Sequence, residues 1–371
     1  MRVNQRVLLS RQGREVYVTA TPSPGAPAGE QAREAFAAIG GALREAGGFV
    51  FQERIFAAED AFEAILRVRQ RLWPDLDDGV GPVRLISPEG LHGPLAGVQV
   101  HAVCLPEPPK VLRSGPAGRG RLVSLNGRHH VALSGLSAPE AGDPESQALA
   151  VFEEADDLLR QAGGDLRCVA RTWLWLKDIL SWYDGFNRVR NAFFAERGLT
   201  DGAAGVVRMP ASTGIGVGPA GGARCALDVL AVVGSDRPIR YLEASGKQNS
   251  PYRYGSAFSR AARSPTPAGE TVYVSGTAAI DAEGGSQHLG DAARQIETTL
   301  ANVRAVLAEQ GCGDGDVVQA MAYCKNPEVE AVWRDGWGDL AWPCVTAVSD
   351  VCRDELLFEA EATACPGATE A

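Results

Sequence analysis

The sequence predicts a mixed α+β protein built from three fused copies of one small domain. We expect the copies to form a pseudo-trimer with a central barrel-like core and outer helices. Each copy opens with a short strand ending on a small residue and closes with an alternating strand: 16–20 and 98–103, 131–135 and 226–231, 272–276 and 359–364. A repeat of this length is a whole domain, so each copy should bury a core of its own.

Helices and further strands are predicted between the opening and closing strands. In the middle copy, Ala148, Phe152 and Ala155 recur at helical spacing. Similar stretches predict helices at 30–47, 58–72, 145–162, 182–197 and 291–310, and strands at 169–176 and 317–325. Each copy therefore predicts a mixed sheet with two helices on one face.

Clusters of proline and glycine mark the predicted boundaries. They divide the chain into a degenerate first copy, a linker, a middle copy, a second linker and a C-terminal copy: 1–105, 106–120, 121–234, 235–251 and 252–371.

Composition excludes several classes of function. A net charge of −10 without a basic stripe argues against nucleic acid as a partner. No apolar run approaches the ~20 residues that cross a bilayer, and the first residues do not resemble a signal peptide, so we expect no membrane partner and a cytoplasmic location.

The eight cysteines show no zinc-ligand spacing. No helix is expected to open from the glycine-rich run 214–218, so no dinucleotide is predicted. We expect no metal, no cofactor, and a monomer or weak dimer.

Several strings resemble a known superfamily. In the third copy they are 254–259, 274–276, 302–303 and 359–362. These resemble the RidA (YjgF) superfamily. The middle-copy strings 171–173, 178–183, 186–190 and 210–216 are similar to the chorismatases, which are RidA-like enzymes that cleave chorismate. The resemblance covers about residues 120–364 well and the first copy only in outline.

The resemblance implies a cofactor-free enzyme that cleaves the enolpyruvyl ether of chorismate, a small dianionic substrate. The products would be pyruvate and a hydroxybenzoate, with 3-hydroxybenzoate favoured, in secondary metabolism. This reaction needs a carboxylic acid that stays protonated near neutral pH, a property that burial can provide. Glu359 lies among Leu357, Phe358 and Ala360, and it is the predicted general acid. Its expected counterparts are Gln99 and Ala226. Glu361 lies two residues further on the same strand face and is predicted mainly to satisfy backbone donors or to pair with arginines at an interface.

Two carboxylates on the substrate favour arginine partners. The family-like strings supply arginines, tyrosines and hydroxyl groups that we predict to bind the substrate: Arg171, Arg208, Arg253, Arg260, Tyr254, Tyr183, Ser212 and Thr213.

Two positions are expected to influence the ring product, and they disagree. The resemblance implies that a cysteine near position 352, as Cys352 in this chain, accompanies hydroxybenzoate formation. It also implies that hydroxybenzoate-forming enzymes carry glycine at the position of Ala279, which this chain lacks.

Other functions remain open from sequence. One is chorismate hydrolysis to a dihydroxycyclohexadiene carboxylate. Another is RidA-type imine deamination, which uses an arginine after Pro-x. Only Arg84 fits that motif, because the other copies carry Ser212 and Val345 there. A non-catalytic small-molecule-binding protein is the third.

Overall fold

The computed structural model describes residues 1–200, 207–234, 239–245 and 248–370, and these form three sheets with helices on their outer faces. We call the sheets, with their helices, the first, middle and third units. The first unit contains β1 (Arg2–Leu9), β2 (Arg14–Thr21), α1 (Ala28–Ala46), β3 (Gly48–Ala57), α2 (Phe62–Leu72), β4 (Val83–Ile86) and β5 (Leu95–Cys104).

The middle and third units repeat this plan. The middle unit contains β6 (Lys110–Ser114), β7 (Ala117–Leu125), β8 (Arg128–Leu136), α3 (Pro144–Gln161), β9 (Val169–Leu176), α4 (Tyr183–Glu196), β10 (Ala211–Ile215), β11 (Gly218–Pro219) and β12 (Cys225–Val233). The third contains β13 (Arg240–Leu242), β14 (Ala261–Thr266), β15 (Gly269–Ala278), α5 (Ala292–Glu309), β16 (Val317–Cys324), α6 (Pro327–Trp337), β17 (Cys344–Val348), β18 (Phe358–Ala364) and β19 (Thr369–Glu370).

Strand order confirms the predicted repeat. The three sheets share the orders β4-β3-β5-β2-β1, β10-β9-β12-β8-β7 and β17-β16-β18-β15-β14. In each unit the first-named pair is parallel and the remaining pairs in these orders are antiparallel. The short strands β11 and β19 cross over to extend the first unit's sheet at its two edges.

The boundaries of several helices follow from capping residues. The Asp143 side chain accepts a hydrogen bond from the Ser146 amide, and Pro144 occupies the first helical position of α3. Asn326 and Pro327 begin α6 in the same way. Proline at this position has no backbone N–H to leave unsatisfied, so it favours a helix start.

The predicted linker at 106–120 differs from the structure. It contains β6 and the start of β7, which pair as a hairpin. The prolines at 106, 108 and 109 precede the hairpin, Gly115 and Pro116 form its turn, and two further glycines lie within β7. The second linker, 235–251, lies partly outside the described residues and contains β13.

Each unit buries one core between its sheet and its own helices, and the three sheets share a fourth core where their inner faces meet. This central core contains Phe56 of the first unit, Trp175 of the middle unit and Tyr323 of the third. Across the described residues the sheets hydrogen-bond as three separate sheets, so the centre is a three-sided sandwich and not a closed barrel. None of the described helices could cross a membrane.

Strand register corrects one predicted equivalence. Phe56, Trp175 and Tyr323 lie opposite Gly97, Ala226 and Glu359 on the neighbouring strands. Gly97 therefore occupies the place of Glu359 in the first unit. Gln99 lies one inward-facing position further and corresponds to Asp228 and Glu361. The sequence pattern predicted Gln99 instead of Gly97, because alternating apolar residues give the same pattern after a shift of two residues.

Candidate active site

A cavity of about 290 Å³ lies between the middle and third units. One wall is the first turns of α4. The other is formed by the ends of β15 and β18 with the segments 254–260 and 352–356. Its lining residues are Tyr183, Asp184, Asn187, Tyr254, Ser256, Phe258, Arg260, Gly276, Ala278, Ile280, Cys352, Arg353, Leu356 and Glu359.

Glu359 lies on the inner face of β18, opposite Ala278 of β15, and its side chain is buried. A Cβ atom on the neighbouring Gly276 would overlap with Oε1 of Glu359, so glycine makes room for the carboxyl group. Burial, together with the nearby Glu361 carboxylate, raises the pKa of Glu359 to about 8 against the opposing effect of Arg171 and Arg260. Glu359 is therefore largely protonated at neutral pH, as a general acid requires.

Glu361 is held in a different way. It accepts hydrogen bonds from Arg171 Nη2 at 2.6 Å, from Trp173 Nε1 at 2.7 Å and from the Thr213 hydroxyl. All three donors belong to the middle unit and are buried. Charge-assisted bonds of this kind stabilise a buried carboxylate. Glu361 is thus a fixed negative charge behind the cavity wall, and it joins the third unit to the middle unit.

Two arginines of the third unit give the cavity positive charge. Arg260 is buried, and its guanidinium donates to the Asn249 carbonyl at 3.2 Å and to the Tyr254 hydroxyl. Arg353 donates to the Gly284 carbonyl at 2.6 Å. In the described residues neither arginine forms an ion pair with a carboxylate, so their charges remain available to an anion.

Helix α4 contributes a polar surface. The buried Arg190 donates from Nη2 to Asn187 Oδ1 at 2.6 Å, which fixes the Asn187 side chain at the cavity. Burial raises the pKa of Tyr183 to about 12, so its hydroxyl stays protonated.

The Cys352 thiol lines the cavity near Glu359. Burial raises its pKa to about 12, and the Glu359 carboxyl adds to this effect. The sulfur is therefore a neutral thiol that can donate a hydrogen bond, and it is a poor nucleophile.

The structure brings five of the predicted site residues to the cavity: Glu359, Cys352, Tyr183, Tyr254 and Arg260. The other six do not line it. Arg171, Ser212 and Thr213 are buried behind the wall, where they link the two units. Arg208 and Arg253 are exposed, the second on a short 3-10 turn.

Ala279 is buried behind the wall, and Ala278 lines the cavity in its place. Ala278 is the last residue of β15, and Ala279 follows the end of the strand. Arg84, the arginine of the imine-deaminase motif, is exposed and lies on β4 of the first unit.

Sequence reasoning missed Arg353 and the role of Gly276. Arg353 directly follows Cys352, so its position beside a predicted site residue was the available signal. In the described part of the chain, no cluster of three or more metal-ligating side chains is found.

A solved chorismatase superposes on 85% of this chain and 93% of its own length, with a TM-score of 0.59 and 20% sequence identity. The chain shares the fold of a chorismatase. The chorismatase likeness extends well beyond the third unit, which by itself matches the family model described as Endoribonuclease L-PSP over residues 252–365.

Smaller solved proteins align with 34% of the chain. Rv2704 from Mycobacterium tuberculosis, a member of the YjgF/YER057c/UK114 family, aligns with 34% of this chain and 98% of its own, at 26% identity and a TM-score of 0.25. No curated protein matches the chain in sequence.

Proposed function

We propose that the protein cleaves the enolpyruvyl ether of chorismate to pyruvate and a hydroxybenzoate, with 3-hydroxybenzoate the favoured product, in secondary metabolism. The observation that carries the proposal is Glu359, a buried carboxyl group with a pKa of about 8 at the wall of a cavity that also holds Arg260 and Arg353. We infer the substrate by analogy with the chorismatase whose fold the chain shares, and we infer the chemistry from the residues of the site.

The cavity suits a small dianion. Its volume of about 290 Å³ is near the lower end of ligand sites, which typically occupy about 300–1,000 Å³. Arg260 and Arg353 would bind the two carboxylates, since a guanidinium donates two parallel hydrogen bonds to such a group. Phe258 and Leu356 offer apolar contact to the ring.

The first chemical step is proton transfer from carboxyl to carbon. Glu359 would protonate the methylene carbon of the enol ether, which converts the methylene into a methyl group and leaves a cation shared by the central carbon and the ether oxygen. The Glu359 carboxylate formed here, together with the fixed charge of Glu361, would stabilise that cation.

The second step decides the product. If the neighbouring ring hydroxyl attacks the cationic carbon, its proton returns to Glu359. In the cyclic ketal so formed, the bond between the ring carbon and the original ether oxygen breaks, and that oxygen leaves as the keto oxygen of pyruvate. The hydroxyl oxygen leaves the ketal carbon and bonds to the same ring carbon, which gives a ring–oxygen intermediate that aromatises without consuming water. If water attacks instead, the collapse of the hemiketal yields pyruvate and a dihydroxycyclohexadiene carboxylate, with one water consumed.

We assign to Cys352 the role of favouring the aromatic product over the product of water attack. Its neutral thiol lies at the cavity and can hydrogen-bond to a ring oxygen while the aromatic product forms. Hydrolysis is the closest alternative outcome of the same site.

A coupled assay tests the proposal. Purified protein is incubated with chorismate, pyruvate is followed with lactate dehydrogenase, and the ring product is identified by chromatography. We expect pyruvate release by the wild type and a loss of about 10²–10⁴-fold in Glu359→Gln, the range typical of removing a general acid. Circular dichroism checks that the variant is folded.

The same assay separates the alternatives. Cys352→Ala should retain pyruvate release and shift the ring product toward the dihydroxy acid. Equal pyruvate release by wild type and Glu359→Gln would refute the assigned general acid. No pyruvate from folded wild type would refute chorismate cleavage and leave a modified substrate, an imine deaminase or a binding protein.

A further inference from the structure

A second cavity, of about 360 Å³, lies between the third and first units. Its walls come from α6, from β17 and from the ends of β2 and β5. The candidate active site has the same relative position, between the corresponding helix α4 of one unit and the strands of the next. The two cavities are therefore related by the pseudo-threefold repeat, but the register places Gly97 where the active site has Glu359.

Three tryptophans line this second cavity, Trp333, Trp337 and Trp342, and Trp337 is the most exposed of them. The rings of Trp333 and Trp337 are nearly parallel, at 10°, with centroids 6.4 Å apart. Trp333 is held in place by a hydrogen bond from its Nε1 to the Thr346 hydroxyl at 3.1 Å. Rigid aromatic faces of this kind bind planar rings at little cost in conformational entropy.

Two arginines line the same cavity and are exposed to solvent. The Arg2 guanidinium donates to the carbonyl oxygens of Gly338 and Leu340, and both contacts are long, at 3.4 Å. Among the described residues, neither Arg2 nor Arg334 forms an ion pair with a carboxylate. Their charges are therefore free to bind an anion at the rim of an aromatic cavity.

The buried acid of this cavity has a different role. Glu330 accepts a hydrogen bond from the Leu91 amide at 3.0 Å, and its other oxygen lies 3.7 Å from His92 Nε2. A Cβ atom on Gly90 would overlap with this carboxylate. Glu330 thus anchors the loop at 90–92 of the first unit to the third unit. Its carboxylate is already engaged in these contacts.

We infer that this second cavity is a non-catalytic binding site for a small aromatic carboxylate. The tryptophans would contact the ring, and Arg2 and Arg334 would bind the carboxylate group. Gly97 cannot supply a proton, so a bound molecule would not react here. The inference does not require the proposed reaction, although hydroxybenzoates belong to the same chemical class.

Fluorine NMR tests the inference at residue resolution. The protein contains seven tryptophans, and 5-fluorotryptophan labelling gives each a signal that a single Trp→Phe variant can assign. Benzoate should shift the signals of Trp333, Trp337 and Trp342 along one saturation curve. Arg334→Ala should raise the dissociation constant by about tenfold, equivalent to losing one good ionic contact.

Three controls decide the outcome. Arg294→Ala removes an exposed arginine that instead faces Asp291, and it should leave benzoate affinity unchanged. Glu359→Gln should give the same shifts, which separates this site from the reaction. Benzamide, the neutral isostere, should bind more weakly. Unmoved signals of the three tryptophans, equal affinity for benzamide, or no effect of Arg334→Ala would each overturn the inference.

Discussion

A single carboxyl group distinguishes the candidate active site from the related positions in the other units. Glu359, Ala226 and Gly97 occupy equivalent places in the three sheets, each opposite a buried aromatic residue. Only one of the three can transfer a proton. Burial disfavours the ionised form of a carboxyl group. The buried position of Glu359 therefore keeps its carboxyl group protonated, and a protonated carboxyl group can donate a proton.

The pH dependence of the proposed reaction follows from the pKa of Glu359. A general acid must be protonated, so kcat/KM for chorismate should be highest below pH 8 and should fall as the pH rises through about 8. Initial rates of pyruvate formation between pH 5.5 and 9.5 measure this, with Glu359→Gln as the background. A rate that stays constant to pH 9.5 would contradict the assignment.

Gly276→Ala tests whether the carboxyl group needs the space beside it. The added Cβ would overlap with Glu359 Oε1 and approach Thr213 Cγ2 to 3.0 Å, so the carboxyl group must move. We expect a loss of stability of about 1–3 kcal/mol, typical of overpacking, and a tenfold or greater loss of kcat/KM. Urea unfolding and the pyruvate assay measure the two effects.

Gly41→Ala is the matched control for this substitution. Gly41 is exposed on α1, and no atom lies within 4 Å of an added Cβ. Alanine favours a helix over glycine by roughly 0.5–1 kcal/mol, so this variant should be as stable as the wild type or slightly more so. Equal behaviour of the two variants would show that Gly276 is not needed for spacing.

At the scale of elements, β18 presents two carboxyl groups to the interior, and its neighbours give them different states. Tyr323 of β16 lies opposite Glu359, whereas the middle unit supplies Arg171, Trp173 and Thr213 to Glu361. The strand period of two brings both side chains to the same face. The packing of the middle unit therefore makes Glu361 a paired anion and leaves Glu359 a protonated acid.

Glu361→Gln should therefore lower the pKa of Glu359. The Glu361 charge raises that pKa, and its removal also leaves the Arg171 charge unbalanced, which acts in the same direction. The high-pH fall in kcat/KM should move to lower pH relative to the wild type. Glu328→Gln, which removes an exposed charge from the same unit, should leave the profile unchanged. A shift to higher pH would refute the proposed coupling.

At the scale of the whole molecule, buried polar contacts join the three units across the central core. Arg54 of the first unit donates from Nε to Asp228 Oδ2 of the middle unit at 2.9 Å, and its guanidinium lies 3.6 Å above the Trp173 ring. Gln99 of the first unit donates to the Ala320 carbonyl of the third at 2.8 Å. These contacts link the first unit to both of the others inside the central core.

Breaking the Arg54–Asp228 pair should destabilise the whole chain. Arg54→Leu leaves a buried carboxylate without its cation, and we expect a loss of about 3–5 kcal/mol in the free energy of unfolding. The double variant Arg54→Leu/Asp228→Leu should recover part of this loss. Urea unfolding measures both, and Arg67→Ala, from an exposed ion pair, should leave the midpoint unchanged. Equal midpoints for Arg54→Leu and the wild type would contradict this role.

Much of the fold could be predicted from the sequence because its signals are local. Helical spacing predicted the helices now observed as α3, α4 and α5, each within one residue at both ends, and the apolar run 169–176 is β9. The linker at 106–120 differed because the same prolines and glycines serve equally well at the ends of a hairpin. Composition alone does not distinguish the two.

The sequence by itself determined the repeat, the order of elements in each copy and the buried, apolar surroundings of Glu359, because periodicity and neighbouring residues encode them. The tertiary structure alone decided which arginines reach the cavity. Arg260 lines it, Arg171 holds Glu361 behind the wall, and Arg253 is exposed. The reason is physical: the site lies between two units, and the direction of a long side chain depends on contacts with residues far away in the chain.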